Sequence, residues 1–196
     1  MKRIQQNNPN TQDYWTDIYR REKYDLGVDF TKHLMIATQI IDGTYVVDYG
    51  CGPGEILQEV AKIRPHCALV GVDHAPYPHS KIKIIQGSVY EPITRMAQYV
   101  ISTEVIEHLD DPQKAVDCLY TSLLPEGTAF LTTPYQDHIP SSEHIWEYKL
   151  DDMNKLFEKF THVYVFPLAS GRCATFTDGR VYPPGNVDTI LVRAIK

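Results

Sequence analysis

Residues 45 to 54 read Tyr45-Val46-Val47-Asp48-Tyr49-Gly50-Cys51-Gly52-Pro53-Gly54, a β-branched strand that ends in an acid and then turns on three alternate glycines. Few folds accommodate such a run. Glycine lets the backbone take φ > 0 or approach a ligand with no Cβ in the way, and Pro53 presets φ for the first turn of a helix expected over Glu55 to Ile63. Strand, ligand loop and helix are therefore expected in that order, with the loop shaped for a nucleoside cofactor.

A second strand, Ala68-Leu69-Val70-Gly71-Val72-Asp73, ends in an acid where a doubly wound sheet puts a carboxylate under a ribose. The dinucleotide fingerprint needs its third glycine at position 55, which is Glu55. Two acids beside a pyrophosphate would repel it, whereas S-adenosyl-L-methionine carries a sulfonium and an ammonium and no phosphate. On these residues the chain resembles the class I S-adenosylmethionine-dependent methyltransferases, whose first motif reads D-x-G-x-G-x-G and whose second ends in an acid. The resemblance implies a Rossmann-like α/β fold with a seven-stranded, mostly parallel sheet and helices on both faces. It also implies S-adenosyl-L-methionine as cofactor, with contacts from Tyr14, Asp48, Gly50, Cys51, Gly52, Asp73, His74, Ser88, Val89 and Thr103. Ser88 stands where the family commonly has an acid that meets the adenine; a hydroxyl can still pair with the exocyclic amine.

A length of 196 residues with 43% hydrophobic content suits one domain, expected as two N-terminal cap helices over 1–42 and a cofactor-binding and catalytic core over 43–196. No apolar run spans a membrane and Met1 to Thr16 lacks the apolar core of a signal peptide, so the expected location is cytoplasmic and no membrane partner is expected. Cys51, Cys67, Cys118 and Cys173 are scattered, which argues against a zinc knuckle or a disulfide framework. A formal charge of −6 disfavours a broad nucleic-acid footprint, and Lys2, Arg3, Arg20, Arg21 and Lys23 are read as a solvated helix face.

Strands are expected at Thr44 to Tyr49, Ala68 to Asp73, Ile82 to Gln86, Tyr99 to Ser102, Thr128 to Thr133, His162 to Pro167 and Thr189 to Ala194, the last of them antiparallel. Helices are expected from Asp13 to Tyr19 and from about Asp29 to Ile41. A further helix is capped by Asp111, with Pro112 first and Ala115, Val116, Leu119 and Leu123 on one face. Another begins near Asp151 or Asp152, with Met153, Leu156, Phe157 and Phe160 as a core stripe. His138 to Glu143 form a polar loop beside the acceptor pocket, and Gly171 to Asn186 form a long connection between the last two strands.

Strand four runs into Ser102-Thr103-Glu104-Val105-Ile106-Glu107-His108-Leu109, at the mouth of the sheet where ligands bind. As a helical turn this would put Glu104, Glu107 and His108 on one side. His108, Glu107 and His144 are the candidate catalytic residues, with a histidine as base for a hydroxyl acceptor, and no metal is expected. The favoured expectation is transfer of a methyl group to an O or N atom of a small-molecule acceptor by a monomer or homodimer. Two others stay open. E-x-x-E-H with His144 in H-I-W-E-Y also matches metal-dependent RNA 2′-O-methyltransferases, and the chain would also suit a non-catalytic S-adenosylmethionine-binding partner subunit.

Overall fold

The structure, a computed structural model, describes residues 1–20, 30–75, 77, 80–135, 141–169, 174–175, 181–182 and 187–196. In chain order it begins with a short strand β1 (Lys2–Arg3) and helices α1 (Gln12–Arg20) and α2 (Phe30–Gln39). Then follow β2 (Tyr45–Tyr49), α3 (Glu55–Ile63), β3 (Ala68–Asp73), β4 (Ile84–Gln86) and β5 (Ala97–Thr103). A 3₁₀ turn at Ile106–His108 leads to α4 (Pro112–Ser122), β6 (Leu123–Pro134), β7 (Trp146–Glu147), α5 (Leu150–Leu156) and β8 (His162–Leu168). Two short paired strands, β9 (Ala174–Thr175) and β10 (Val181–Tyr182), precede β11 (Thr189–Ile195).

Seven strands form one sheet in the order β4-β3-β2-β5-β6-β11-β8, with β11 antiparallel to both neighbours and the other pairings parallel. The β-strand period of two sorts the apolar side chains onto two faces. Val46, Ile101, Phe130 and Leu191 pack with Ile36 and Ala37 of α2, with Ile40 just beyond it, and with Ile56, Leu57 and Val60 of α3. Their chain neighbours Val47, Val100, Leu131 and Val192 turn the other way, against Ala115, Val116 and Leu119 of α4 and Met153 and Leu156 of α5. The chain runs outward from β2 to β3 and β4, then crosses back to β5 on the other side of β2. That reversal opens a crevice at the carboxyl ends of β2 and β5.

Several boundaries differ from expectation. Leu123 belongs to β6, not to the face of α4, because it pairs with Ala97 at the start of β5; it is nonetheless fully buried. Glu126, with φ 62, lies within that strand, which is why the expected start at Thr128 falls short. Phe157 and Phe160 lie beyond α5, yet both are buried as the stripe requires. Lys2 and Arg3 form a strand paired with Glu147 and Trp146 and not a helix face; Arg21 and Lys23 lie outside the described residues. So do His138 and Pro140, and most of Gly171 to Asn186. Asp111 caps α4 as expected, its carboxylate accepting from the Lys114 amide at 3.0 Å.

Candidate active site

The loop after β2 is fixed by its own backbone. Gly50 has φ 73 and donates its N–H to the Val72 carbonyl at 2.7 Å. Gly52 has φ 50 and donates to Asp73 Oδ2 at 2.9 Å, while the Ala75 amide donates to Asp73 Oδ1 at 2.8 Å. Space demands glycine as much as φ does: a Cβ at Gly50 would lie 2.5 Å from Val105 Cγ2. At Gly52 it would lie 3.3 Å from the Tyr19 phenol oxygen, so Tyr19 of α1 closes over the loop. Asp73 is buried, which raises its carboxyl, and the two amide hydrogen bonds oppose that shift. Each of its oxygens retains a second acceptor position.

The crevice is a cavity of about 710 Å³. Tyr14, Gly50, Cys51, Gly52, Asp73, His74, Ser88, Val89, Thr103, Glu107, His108 and His144, all expected at the site, lie on its wall. Asp48 does not. It is 1% exposed beneath the loop, with no hydrogen-bond partner for either carboxylate oxygen among the described residues. Burial, and then the charge of Asp73, push its carboxyl well above the usual range, so it is held as the neutral acid. The reason is strand periodicity: Asp48 pairs with Gly71 and Ile101 in mid-sheet, two residues short of the point where the chain leaves it. Cys51 tucks its thiol against β3, where a Cβ on Gly71 would meet Sγ at 2.4 Å; burial pushes this thiol up, leaving it unreactive.

On the wall of the same cavity the acids and histidines converge, though not through a helical turn of the kind expected. Glu104 takes a left-handed conformation, φ 55, and only Ile106–His108 is helical. Glu104 accepts from Thr132 Oγ1 at 2.8 Å and from Lys32 Nζ of α2 at 2.9 Å. Burial alone would raise its carboxyl; the Lys32 ammonium, aided by these hydrogen bonds, reverses the shift and holds it ionised. Glu107 is 1% exposed, with Oε2 accepting from Thr133 Oγ1 at 2.9 Å. Burial first, and the Glu104 charge second, push Glu107 well above the usual carboxylate range. His108 Nδ1 lies 3.0 Å from the Glu143 carbonyl, which fixes the proton on that nitrogen and leaves Nε2 as a bare acceptor 3.7 Å from Glu107 Oε1. Burial, followed by the neighbouring His144, lowers His108 to about 4, so it is neutral at physiological pH.

The N-terminal segment straps this part of the wall down. Asn8 Nδ2 donates to the His108 carbonyl at 3.1 Å and to Asp110 Oδ2, and Asn10 Nδ2 donates to the Glu143 carbonyl at 2.7 Å. The Trp15 indole donates to Asn10 Oδ1 at 3.2 Å and sets its ring edge-on to His108, while the Tyr14 hydroxyl donates to Glu143. Asn8, Asn10, Lys32 and Glu143 were not among the expected site residues. Each acts from a loop or helix whose local sequence carries no motif, and only the three-dimensional path of the chain brings them to the cavity.

A sheet with this strand order, a glycine loop after its central strand and an acid after the next is the arrangement of α/β proteins that hold a nucleoside ligand at the carboxyl ends of their strands. The sequence profile of the family described as a methyltransferase domain matches residues 17–170. The chain belongs to that family, with the fold of the class I S-adenosylmethionine-dependent methyltransferases. The mitochondrial ubiquinone biosynthesis O-methyltransferase of Rattus norvegicus is 22% identical over 163 residues, covering 63% of this chain and 47% of the relative. The chain thus spans about half the length of the curated relatives it matches. Among solved structures, the complex of the Haloferax volcanii Trm112 methyltransferase activator with a methyltransferase superposes with TM-score 0.74 at 16% identity, covering 97% of this chain and 99% of that one. The Burkholderia thailandensis 1,6-didemethyltoxoflavin-N1-methyltransferase, with its substrate and S-adenosylhomocysteine bound, gives TM-score 0.71 at 12% identity, covering 94% and 86%.

Proposed function

We propose that this protein transfers a methyl group from S-adenosylmethionine to an oxygen or nitrogen atom of a small-molecule acceptor, with His108 as the acceptor's base and without a metal ion. The observation that carries the reading is His108 Nε2, a ring nitrogen left as an acceptor on the cavity wall by the Glu143 carbonyl's hold on Nδ1. The residues present fit the cofactor: Gly50 and Gly52 form a cradle that any Cβ would fill, and the free acceptor positions of Asp73 suit a pair of ribose hydroxyls. Ser88, Val89 and His74 flank the place left for the base, and Tyr14, Cys51 and Thr103 complete the wall. When bound, S-adenosylmethionine supplies an electrophilic methyl on a sulfonium. The chain then has to orient the acceptor, exclude water and receive a proton.

His108 receives it at Nε2, and the Glu143 carbonyl on Nδ1 stabilises the imidazolium as it forms. Glu107, beside Nε2, orients the ring. Trp15 and the Asn8–Asn10 strap hold the acceptor end closed to bulk water. The volume supports a small acceptor beside the cofactor, since pockets of ~300–1,000 Å³ suit ligands of that size. The names of the ubiquinone-pathway and toxoflavin-pathway relatives support small-molecule acceptors too. A second reading, activity only with a partner chain, is favoured by the Haloferax methyltransferase solved with its activator.

The test is to incubate the protein with methyl-labelled S-adenosylmethionine and a cell extract separated into small molecules, RNA and protein. Label in the small-molecule fraction, retained after EDTA dialysis and lost with His108→Ala while S-adenosylhomocysteine affinity is unchanged, is expected. Label in RNA, or loss on chelation reversed by Mg²⁺ or Mn²⁺, overturns the reading. Turnover that appears only on adding a partner protein supports the second.

A further inference from the structure

The cavity wall carries Glu55, Asp73, Glu104, Glu107, Asp110 and Glu143, and among the described residues Lys32 is the one lysine or arginine on it. Its ammonium is largely withdrawn from solvent, with the side chain 13% exposed, and bonds Glu104 at 2.9 Å. Next to that pair, one carboxylate oxygen of Glu107 and one ring nitrogen each of His108 and His144 lie within 4.8 Å of one another. Such a set of imidazole nitrogens and a carboxylate suits Mn²⁺ or Zn²⁺. Glu107 Oε1 is buried and has no hydrogen-bond partner among the described residues, so it points to a cation the site could take. The local backbone is committed to the arrangement as well: Glu104 occupies a left-handed conformation that an ordinary side chain avoids, held by its amide on the Thr132 carbonyl and by its carboxylate on Lys32.

We propose that Lys32 is the resident cation of this cluster: its ammonium neutralises Glu104 and keeps the adjoining Glu107, His108 and His144 from capturing a divalent ion, leaving His108 Nε2 to the acceptor. The last clause rests on the methyl-transfer reading; the exclusion of the ion does not. The physical basis is twofold. A divalent ion entering the cluster would meet a fixed positive charge in a poorly screened site, where ion–ion repulsion is several times stronger than in water. It would also be denied Glu104, whose charge Lys32 already holds. Lys32 is in these terms a positioning residue that acts through Glu104 and Glu107.

Electron paramagnetic resonance of Mn²⁺ reads this without cofactor, acceptor or turnover. The whole chain is titrated with Mn²⁺ alone, as wild type, Lys32→Arg, Lys32→Met, Lys32→Gln, whose amide can still hydrogen-bond Glu104 and so guards the fold, and the double variant Lys32→Met/Glu104→Gln, in which both charges are gone. Wild type, Lys32→Arg and the double variant are expected to leave the free-Mn²⁺ signal intact, while Lys32→Met and Lys32→Gln, which leave Glu104 without its counter-charge, bind Mn²⁺ tighter by on the order of tenfold or more. Adding His144→Ala to Lys32→Gln should abolish that gain. Wild-type binding as tight as that of Lys32→Gln overturns the proposal, and so does a folded Lys32→Gln or Lys32→Met protein that takes up no Mn²⁺. Because the readout is ion binding, failure here leaves the methyl-transfer reading standing, and the reverse is also true.

Discussion

Gly71→Ala perturbs the candidate cofactor loop from underneath. Gly71 lies in β3, pairing with Asp48 on one side and Ile84 on the other, and its missing Cβ is the space into which Cys51 folds. A Cβ there would meet Cys51 Sγ at 2.4 Å, Cys51 Cβ at 3.1 Å and Ile84 Cγ1 at 3.4 Å. Overpacking of this kind costs about 1–3 kcal/mol, and the entropy that alanine saves in a strand returns roughly 0.5–1 kcal/mol. The mid-values of the two ranges leave a net destabilisation of about 1 kcal/mol, or a fall in Tm of roughly 2–4 °C for a chain of this size. Cys51 can relieve the clash only by lifting the loop between Gly50 and Gly52, so S-adenosylhomocysteine affinity should fall by on the order of tenfold, about 1.4 kcal/mol. Cys51→Ala removes the clashing sulfur and leaves the 3.1 Å contact to be absorbed by a small shift. The double variant should thus recover both stability and affinity, with a coupling energy of about 1–2 kcal/mol. Urea denaturation and calorimetric titration of the four proteins measure it. A Gly71→Ala protein as stable and as tight-binding as wild type, or one that Cys51→Ala does not rescue, refutes the packing argument.

Asp73→Ala should weaken S-adenosylhomocysteine binding by roughly 2–4 kcal/mol, since it removes charge-assisted hydrogen bonds to the ligand and the anchor of the Gly52 and Ala75 amides; calorimetry reads it. Asp48 holds its proton in the folded state, so the stability it contributes is fully present below its ordinary value of 3.8 and is lost as pH rises toward the higher folded value. In that window the unfolded chain has released the proton and the folded one has not, a slope of about 1.4 kcal/mol per pH unit, and Asp48→Asn should flatten the fall of unfolding free energy measured in urea as pH is raised above the ordinary value. Asp111→Ala removes the cap of α4 and should cost about 0.5–2 kcal/mol of stability in the same assay, with cofactor affinity unchanged because the carboxylate bonds the Lys114 amide and Asp111 is not on the cavity wall.

What the sequence disclosed is what depends on local rules. The loop from Asp48 to Gly54, the acid at Asp73 and the Asp111-Pro112 cap each follow from a few adjacent residues, whereas which helix layer Val46 and Val47 each meet is decided by the packing of the whole sheet. Asp48 shows the limit of this: the motif marks it, but register with Gly71 and Ile101 buries it away from the cavity. Lys32 was hidden because a lysine in an amphipathic helix reads as solvated until α2 is laid over the end of β5 and Glu104 reaches it. Asn8 and Asn10 sit in a polar stretch that carries no pattern, and they matter only because the strand pairing of Arg3 with Trp146 brings that stretch across His108 and Glu143. Gly71 looked like one small residue in a strand; its role appears only once Cys51 is seen beneath it.

The central claim is that S-adenosylmethionine lies along the Gly50–Gly52 loop with its ribose on Asp73 and its reactive end at Glu104 to His108. Hydrogen–deuterium exchange of the whole chain with and without saturating S-adenosylhomocysteine tests it most directly. The account predicts slowed exchange of the amides in 50–54, 73–75, 87–90 and 103–108, with the outer strand β8 unchanged. Protection absent from the glycine loop and Asp73, or centred on a different part of the chain, would contradict it.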